Sequence, residues 1–350
     1  MESHNDNYGM LDLLIRPGFY VQNHQIVYAN QAARTLLLYP GMDIREFLLT
    51  GREEYETFRE GCLYLQLNIA GGSGACVLSS EDRHLFLLDL ESDDDALRAM
   101  ALAARELREP LTSMQLSLGQ LSAQSEKDRE QMARLSRSIH QMLRILSNMS
   151  DAGRSTSLSP MELRNIPEVI SGIFEKAQLL VSLSGMTLQF RNTVESVQGL
   201  VDEPSLERAI LNMLSNAIKF STKGSPIHGE LTRKGRMLSL CIHDSGSGIA
   251  QNLQNTLFQR YLRQPGIEDG RYGLGLGMVL IRNAAARHGG TVLIRQPEAG
   301  GTQICMTLPI RQETSGVLHT PYIRVDYSGE QDHGLVELSD CLPLSAYYKE

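Results

Sequence analysis

Apolar residues recur at two different periods along this chain, and the changes of period mark three regions. Between residues 11 and 90 they form short β-prone runs separated by polar turns. Residues 97–149 carry them at alternating steps of three and four, which is typical of helices that pack along a seam. After a Ser-rich stretch at 153–160, helical and strand patterns mix up to Ile310. The pattern predicts an α+β protein of several domains.

The first region is predicted to be a small α/β unit, residues 1–92. A hairpin with its turn at 22–24 leads into a helix over 29–38 through Asn30, and this opening resembles that of a PAS domain. We therefore interpret residues 1–92 as a PAS-like sensor domain, with an unrelated α+β sensor module as the alternative. The predicted strands are 19–21, 25–28, 62–69, 75–79 and 84–90.

The second region, residues 93–152, is predicted to be a helical hairpin with a polar connection at 122–128. Its first seam comprises Leu97, Ala101, Ala104, Leu107, Leu111, Met114, Leu118 and Leu121. Its second seam comprises Met132, Leu135, Ile139, Met142, Leu146 and Met149. Two such helices carry too much apolar surface to stand alone, and pairing two hairpins into a four-helix bundle covers it. We expect a homodimer, or a heterodimer with a related chain.

Charge and cysteine usage restrict the partners and the compartment. The net charge of −8 argues against nucleic acid as the main partner, because phosphate backbones require a basic face. The five cysteines show no metal-ligand spacing, and we expect reduced thiols and a cytoplasmic location. No apolar run reaches the roughly 18–20 residues of a transmembrane segment. Residues 313–350 lack a clear helix period and are predicted to be a disordered or surface-draped tail, with docking as the alternative.

A helix predicted over residues 206–221 places Asn212, Asn216 and Lys219 on one face, at i, i+4 and i+7. Amides in an apolar helix are costly to bury without partners. An amide oxygen is a suitable ligand for Mg²⁺, which bridges phosphate oxygens, and a lysine adds a point charge to the same phosphates. The alternative is a surface helix with incidental asparagines.

Three glycine-rich segments follow this helix. In the first, a β-prone run over 238–242 leads to Asp244 at the strand end. Its carboxylate suits an adenine amino group, and Gly246 and Gly248 allow a tight turn. The second places Gly273, Gly275 and Gly277 at a helix start, where backbone N–H groups can meet phosphate. A dinucleotide fold would need its glycines after a first strand, which is not the case here. The third precedes a strand over 303–308 and consists of Gly300, Gly301 and Thr302.

In this order and at these spacings, the four segments resemble the N box and the three glycine boxes of histidine-kinase ATP-binding domains. Residues 257–264 resemble the F box of that family, and residues 284–292 resemble its helix-to-strand exit. The resemblance covers roughly residues 160–310. It implies an ATP-binding domain over residues 160–312 that is an α/β sandwich of the gyrase, Hsp90 and histidine-kinase type. In the hydrolysing branches the position of Asn212 usually holds a glutamate that activates water, so asparagine favours the kinase branch.

The resemblance also implies roles for individual residues. Asn216 would ligate Mg²⁺ with Asn212 beside it, Lys219 would contact phosphate, and Phe220 would pack on the adenine side. Asp244 would bind the adenine amino group, supported by Gly246, Gly248 and Thr302. Residues 261–272 would form a mobile lid. Within this lid, Arg263 and Arg271 would contact the phosphates. The phosphate loop after it would be lined by Gly273, Gly275 and Gly277.

The first hairpin helix carries a segment, residues 104–114, that resembles the phosphoacceptor motif H-E-L-R-T-P-L. Glu106 matches the motif, but Arg105 stands in the place of the histidine, and Glu109 replaces the Thr or Asn four residues on. A guanidinium has no nucleophilic nitrogen, so Arg105 cannot accept a phosphoryl group. We expect His140, on the second helix, to be a solvated flank residue rather than a replacement acceptor.

The resemblance implies a cytoplasmic sensor histidine kinase of a two-component system that binds Mg·ATP and phosphorylates or regulates a partner. The alternative is a non-catalytic pseudokinase scaffold whose ATP-dependent conformation binds a response regulator or another kinase. A third possibility, a serine kinase of the anti-sigma type, is disfavoured because such proteins need no long helical hairpin.

Overall fold

The amino-terminal apolar runs form a five-stranded antiparallel unit with short helices on it. The computed structural model describes residues 9–69, 73–80, 82–89, 95–152, 161–249, 276–310 and 332–348. The strands of this unit are β1 (Gly18–Gln22), β2 (Gln25–Ala29), β3 (Cys62–Leu67), β4 (Ser73–Ser80) and β5 (Arg83–Asp89). The short helices are α1 (Gly9–Asp12), α2 (Gln31–Thr35) and α3 (Arg52–Thr57). All five predicted strands are present, with their ends shifted by one or two residues.

Asn30 connects the first hairpin to α2. Its Oδ1 accepts hydrogen bonds from the backbone N–H groups of Ala33, at 2.9 Å, and of Gly18, at 3.1 Å. The same amide therefore caps the helix and closes the base of the hairpin, which explains why the Asn30 side chain is buried. The helix is shorter than predicted, because Leu37 adopts a positive φ of 63° and cannot continue it.

Two long helices follow, α4 (Asp95–Gln120) and α5 (Glu126–Ala152). They pack against each other through alternate positions of their seams, namely Ala104, Leu111 and Leu118 on α4 and Ile139 and Leu146 on α5, with Met149 at the end of the second seam also packed against them. The other half of each seam faces outward. The exposed fractions of Leu107, Met114, Leu121, Leu135 and Met142 lie between 41% and 59%.

The carboxy-terminal half is an α/β sandwich. Its strands are β6 (Glu162–Asn165), β7 (Thr187–Asn192), β8 (Gln198–Val201), β9 (Pro226–Lys234), β10 (Met237–His243), β11 (Val292–Arg295) and β12 (Gln303–Pro309). Three helices contribute to the core against the larger sheet, α6 (Ile166–Leu183), α7 (Glu203–Phe220) and α8 (Gly277–His288). β6 and β8 form a separate two-stranded sheet. This sandwich agrees with the predicted fold class.

The strands of the amino-terminal unit and of the larger carboxy-terminal sheet form one continuous sheet. Strand β3 pairs antiparallel with β11, with Leu63 opposite Leu293. The strand order of the resulting ten-stranded sheet is β2-β1-β5-β4-β3-β11-β12-β10-β9-β7. An ion pair between Arg282 on α8 and Asp89 at the end of β5 connects the halves a second time. The amino-terminal unit is therefore attached to the carboxy-terminal sandwich by backbone hydrogen bonds as well as by side chains.

Residues 332–348 are ordered and partly buried, so the prediction of a disordered or surface-draped tail is wrong for this stretch. They form helix α9 (His333–Glu337), a turn, and a 3-10 helix at Leu344–Tyr347. Their apolar side chains explain the order. Val336 joins the core of the hairpin, while Leu338, Leu342 and Tyr347 join the core of the sandwich.

Two further expectations need correction. Cys241 and Cys305 are joined by a disulfide between paired strands β10 and β12, whereas we expected reduced thiols throughout. His140 is buried rather than solvated, with 3% of its surface exposed, and its ring packs on Tyr347. Among the described helices, none combines the length and the apolar character needed to cross a bilayer.

Candidate functional site

The centre of the candidate site is helix α7. Asp202 caps it by accepting a hydrogen bond from the N–H of Ser205 at 3.3 Å, and a proline follows in the first turn. The face toward the sheet is fully apolar and includes Leu206, Ile210, Met213, Leu214 and Ala217. This burial fixes the rotation of α7, and therefore the direction in which its polar residues point.

The three polar residues predicted to share a face of α7 are divided between two neighbours. Asn212 is buried, and its Nδ2 donates to Oε2 of Glu337 on α9 at 3.1 Å. The ammonium of Lys219 donates to Oδ2 of Asp340 at 3.0 Å. The amide of Asn216 instead lies 3.5 Å from the sulfur of Met278 at the start of α8. Asn212 and Lys219 thus contact the carboxy-terminal segment, and Asn216 faces the second glycine box.

Asp244 lies at the end of β10 with 5% of its surface exposed. Its Oδ1 accepts hydrogen bonds from the backbone N–H groups of Gly246, at 2.8 Å, and Thr302, at 3.2 Å. Burial raises the pKa of this carboxyl group, and the two N–H donors oppose the rise. The carboxyl group is therefore fixed in orientation by two of the loops that the sequence predicted to surround it.

Glycines are required here because the backbones approach each other closely. A Cβ at Gly246 would lie 2.3 Å from the carbonyl oxygen of Phe220, and one at Gly301, whose φ is +77°, would lie 1.8 Å from that of Asp244. A Cβ at Gly277 would come within 3.1 Å of Oδ1 of Asn212. The ends of α7, β10 and α8 therefore converge on one region, as the order of boxes predicts.

Two other predicted residues lie at the edge of this region. Phe220, the last residue of α7, is 38% exposed. Gly248 has a φ of +76° and stands close to the side chain of Gln296. Several predicted residues lie outside the described part of the chain, namely Arg263, Arg271, Gly273 and Gly275, together with the proposed lid and F box.

Arg105, at the phosphoacceptor position of α4, is exposed, as are Glu106 and Glu109. His140 on α5 is enclosed by Nε2 of Gln115 at 3.2 Å and by the carbonyl oxygen of Ser136 at 2.7 Å. Burial lowers the pKa of His140, so the neutral ring is favoured. Neither side chain is an accessible imidazole.

Sequence reasoning missed four charged residues that border the site, Arg144, Arg208, Glu337 and Asp340. The Nε of Arg208 donates to Oε1 of Glu337 at 2.8 Å, and Nη1 of Arg144 lies 2.5 Å from Oδ2 of Asp340. Arg144 and Arg208 lie on predicted helices, but nothing in the sequence pairs either with residues about 130–200 positions away. The part of the chain described by the structure contains no group of three or more His, Cys, Asp or Glu residues suited to a metal ion.

Comparisons with known proteins agree with this geometry. The family described as histidine kinase-, DNA gyrase B- and HSP90-like ATPase matches residues 201–312. An uncharacterised sensor-like histidine kinase of Rhizobium meliloti is 28% identical over 277 residues, which are 72% of this chain and 52% of that relative. The sensor-like histidine kinase SenX3 of Mycobacterium tuberculosis is 26% identical over 295 residues, 80% of this chain and 69% of the relative.

Among solved structures, full-length ShkA in complex with AMPPNP is similar in fold. Its TM-score is 0.50 at 19% identity, over 62% of this chain and 46% of that chain. This chain spans about half the length of the Rhizobium relative. The matched model assigns residues 201–312 to the histidine kinase-, DNA gyrase B- and HSP90-like ATPase family, and the sensor kinases that align with most of this chain support a sensor histidine kinase.

Proposed function

We propose that this chain binds Mg·ATP between α7, Asp244 and the start of α8, and acts as a sensor kinase of a two-component system on a partner chain. The observation that carries the proposal is the buried carboxyl group of Asp244. Its Oδ1 is occupied by the N–H groups of Gly246 and Thr302. Its orientation is therefore set in advance, as recognition of a planar base requires.

The phosphate side of the proposed site is formed by α7. Asn216 is the proposed Mg²⁺ ligand, because its amide oxygen is a hard donor on the side of α7 that faces Met278 and the second glycine box. Bound Mg²⁺ supplies positive charge that bridges phosphate oxygens. Lys219 would add a charge-assisted hydrogen bond to the same phosphates. Outside the described residues, Arg263, Arg271, Gly273 and Gly275 would complete this side.

The proposed phosphoryl acceptor is a histidine on another chain, with a response regulator as the downstream partner. Arg105 has no nucleophilic nitrogen, and His140 is enclosed by Gln115, Ser136 and Tyr347. Relatives named as histidine kinases support histidine as the acceptor type. The same two observations favour the second candidate function, a scaffold that binds ATP without transferring phosphate.

We also propose that the chain dimerises through the hairpin, in line with the assignment of residues 1–92 to sensing, 93–152 to dimerisation and 160–312 to ATP binding. The support is the outward half of each seam. Leu107, Met114 and Leu121 recur every seven residues on α4 and leave an apolar stripe exposed. A second copy of the same hairpin offers the matching stripe.

The test is calorimetric titration of the full chain with Mg·ATP, comparing wild type with Asp244→Asn. The amide oxygen of asparagine can still accept from Gly246 and Thr302, but its NH₂ group cannot accept from the adenine amino group. We expect the affinity to fall about tenfold or more, because a charge-assisted hydrogen bond is lost. Asp128→Asn, at the start of α5, is the control. Equal affinity of wild type and Asp244→Asn would contradict the proposed site.

A further inference from the structure

Residues 332–348, which we call the clasp, lie between the hairpin and the sandwich. Asp332 caps α9 by accepting from the N–H of Leu335 at 3.1 Å. Val336 is fully buried among Leu111, Ile139 and Leu143 of the hairpin. The 3-10 helix and turn bury their side chains in the core of the sandwich. The clasp therefore contacts both parts of the protein at once.

Two carboxylates of the clasp lie against the polar face of α7. Glu337 has 0% exposure and accepts from Nε of Arg208, at 2.8 Å, and from Nδ2 of Asn212, at 3.1 Å. Asp340 accepts from Nζ of Lys219, at 3.0 Å, and from Nη1 of Arg144, at 2.5 Å. Burial works to raise the pKa of Asp340, but the two cations outweigh it and hold the pKa below its usual value.

Asn212 and Lys219 are two of the residues assigned to the magnesium and phosphate side of the proposed nucleotide site. A carboxylate and a phosphate present the same chemistry to a lysine, namely an anionic oxygen that accepts charge-assisted hydrogen bonds. Lys219 cannot give its full charge to both, and a phosphate brought beside Asp340 would be repelled by the carboxylate. The clasp therefore competes with the triphosphate for the same groups.

The clasp also fixes the hairpin to α7. Nη2 of Arg144, on α5, donates to Oδ1 of Asn212 and to Oγ of Ser215, each at 3.3 Å, while its Nη1 binds Asp340. The backbone oxygen of Ser339 accepts from Nε of Arg137 at 3.3 Å. While these contacts persist, the sandwich cannot move along its own hairpin toward another chain.

We propose that the clasp is an autoinhibitory element: residues 332–348 occupy the phosphate side of the nucleotide site and hold the hairpin against it, and they must detach for full-affinity Mg·ATP binding. This inference rests on the proposed nucleotide function. Release of the clasp would then be the step that controls the kinase. The stimulus, or a partner that binds the acidic segment, would cause this release.

The experiment uses the full chain and two clasp variants in calorimetric titrations. Asp340→Asn keeps the volume of the side chain and removes the competing charge. Val336→Asp places a charge in the apolar core of the hairpin and should detach the clasp from it. We expect both variants to bind Mg·ATP about tenfold more tightly than wild type, because Asp340→Asn removes the competing charge and Val336→Asp separates that charge from Lys219. Adenosine lacks phosphates, so its affinity should be the same in wild type and Asp340→Asn. Glu126→Gln, the same change of charge at an exposed position, should behave as wild type.

The outcomes separate the two proposals. If wild type and both variants bind Mg·ATP equally, the clasp is not inhibitory and the nucleotide function stands. If Mg·ATP and adenosine bind to none of the proteins, the nucleotide function fails and the inference falls with it. If Asp340→Asn weakens Mg·ATP binding, the clasp supports the site and the inference is overturned.

Hydrogen exchange of the wild-type chain gives a measurement that needs no variant. Saturating Mg·ATP should increase exchange of the amides in 335–342, which are protected while the clasp is attached. Adenosine at saturation should leave them protected. Unchanged or stronger protection with bound Mg·ATP would show that nucleotide and clasp coexist, which overturns the inference.

Discussion

Glu337 and Arg208 form an ion pair of 2.8 Å across 129 positions of sequence, and neither is more than 5% exposed. A charge removed from water to this extent is tolerated only with a partner and additional hydrogen bonds. Asn212 supplies one of these to the carboxylate, and Asn148 accepts one from the guanidinium at 2.8 Å. The pair thereby determines where α9 lies on α7.

The first prediction concerns the stability of this pair. Glu337→Ala leaves the guanidinium of Arg208 buried without its counterion, and we expect the free energy of unfolding to fall by about 3–5 kcal/mol. Urea denaturation measures the change. Glu130→Ala, which breaks an exposed pair with Arg134 on α5, is the control and should have little effect. If the two variants lose the same stability, Glu337 is not buried on α7 in solution.

The second prediction concerns dimerisation. Leu107→Glu with Met114→Glu charges the outward stripe of α4, and we expect monomers in light scattering, because ionised groups cannot be buried in the dimer interface. Leu111 is unsuitable for this test, since it is buried against α5 within one chain and its replacement would unfold the hairpin. Ser182→Glu, at an exposed position of α6 outside the hairpin, should leave the dimer intact. A dimer mass for the doubly charged variant would exclude this stripe as the interface.

The third prediction concerns Arg105. Wild-type protein should not form acid-labile phosphohistidine on α4, because the nucleophile is absent. Arg105→His restores an imidazole at an exposed position, and we expect incorporation of label from γ-labelled ATP that is lost at low pH. The gain should increase when Asp340→Asn is added, since the clasp then competes less for the phosphates.

Two controls define what this experiment shows. Arg105→Gln should remain unlabelled, and Glu109→Thr added to Arg105→His removes a carboxylate that would repel the incoming phosphate. Failure of every histidine variant with ATP binding retained would favour the scaffold function. Acid-labile phosphate on His140 of the wild-type chain would contradict the burial of that ring.

The fourth prediction concerns pH. Burial lowers the pKa of His140, whereas the carbonyl oxygen of Ser136 and the charge of Asp332 raise it. Gln115 and Tyr347 also face the ring. Since the folded pKa lies below the unfolded value of about 6.5, His140 contributes stability above pH ~6.5 that is lost as the pH falls through the folded pKa. His140→Gln should reduce the loss of unfolding free energy between pH 7 and pH 5. If the unfolding free energies of wild type and His140→Gln depend on pH in the same way, the lowered pKa of His140 is contradicted.

Local pattern alone predicted much of the fold and the polar centre of the site. The strands around 22–24, the hairpin at residues 95–152 and the helix that carries Asn212 and Asn216 were predicted within a few residues. Hydrophobic period and capping act over a single element, so they can be recognised in the sequence. The convergence of Asp244 with Gly246 and Thr302 was implied by family resemblance, and the hydrogen bonds between them are consistent with it.

Tertiary structure decided what depends on distant segments. A seam of apolar residues has the same period whether Leu111 or Leu107 faces its own chain, and only the packing of α4 on α5 buried the first and exposed the second. The common face of Asn212, Asn216 and Lys219 follows from helix geometry, but their partners come from elsewhere: α8 for Asn216, and the clasp for the other two. A carboxylate at Glu337 is an ordinary acidic residue in the sequence. Its burial results from Arg208, 129 positions away, because an ion pair between remote segments leaves no period in either of them.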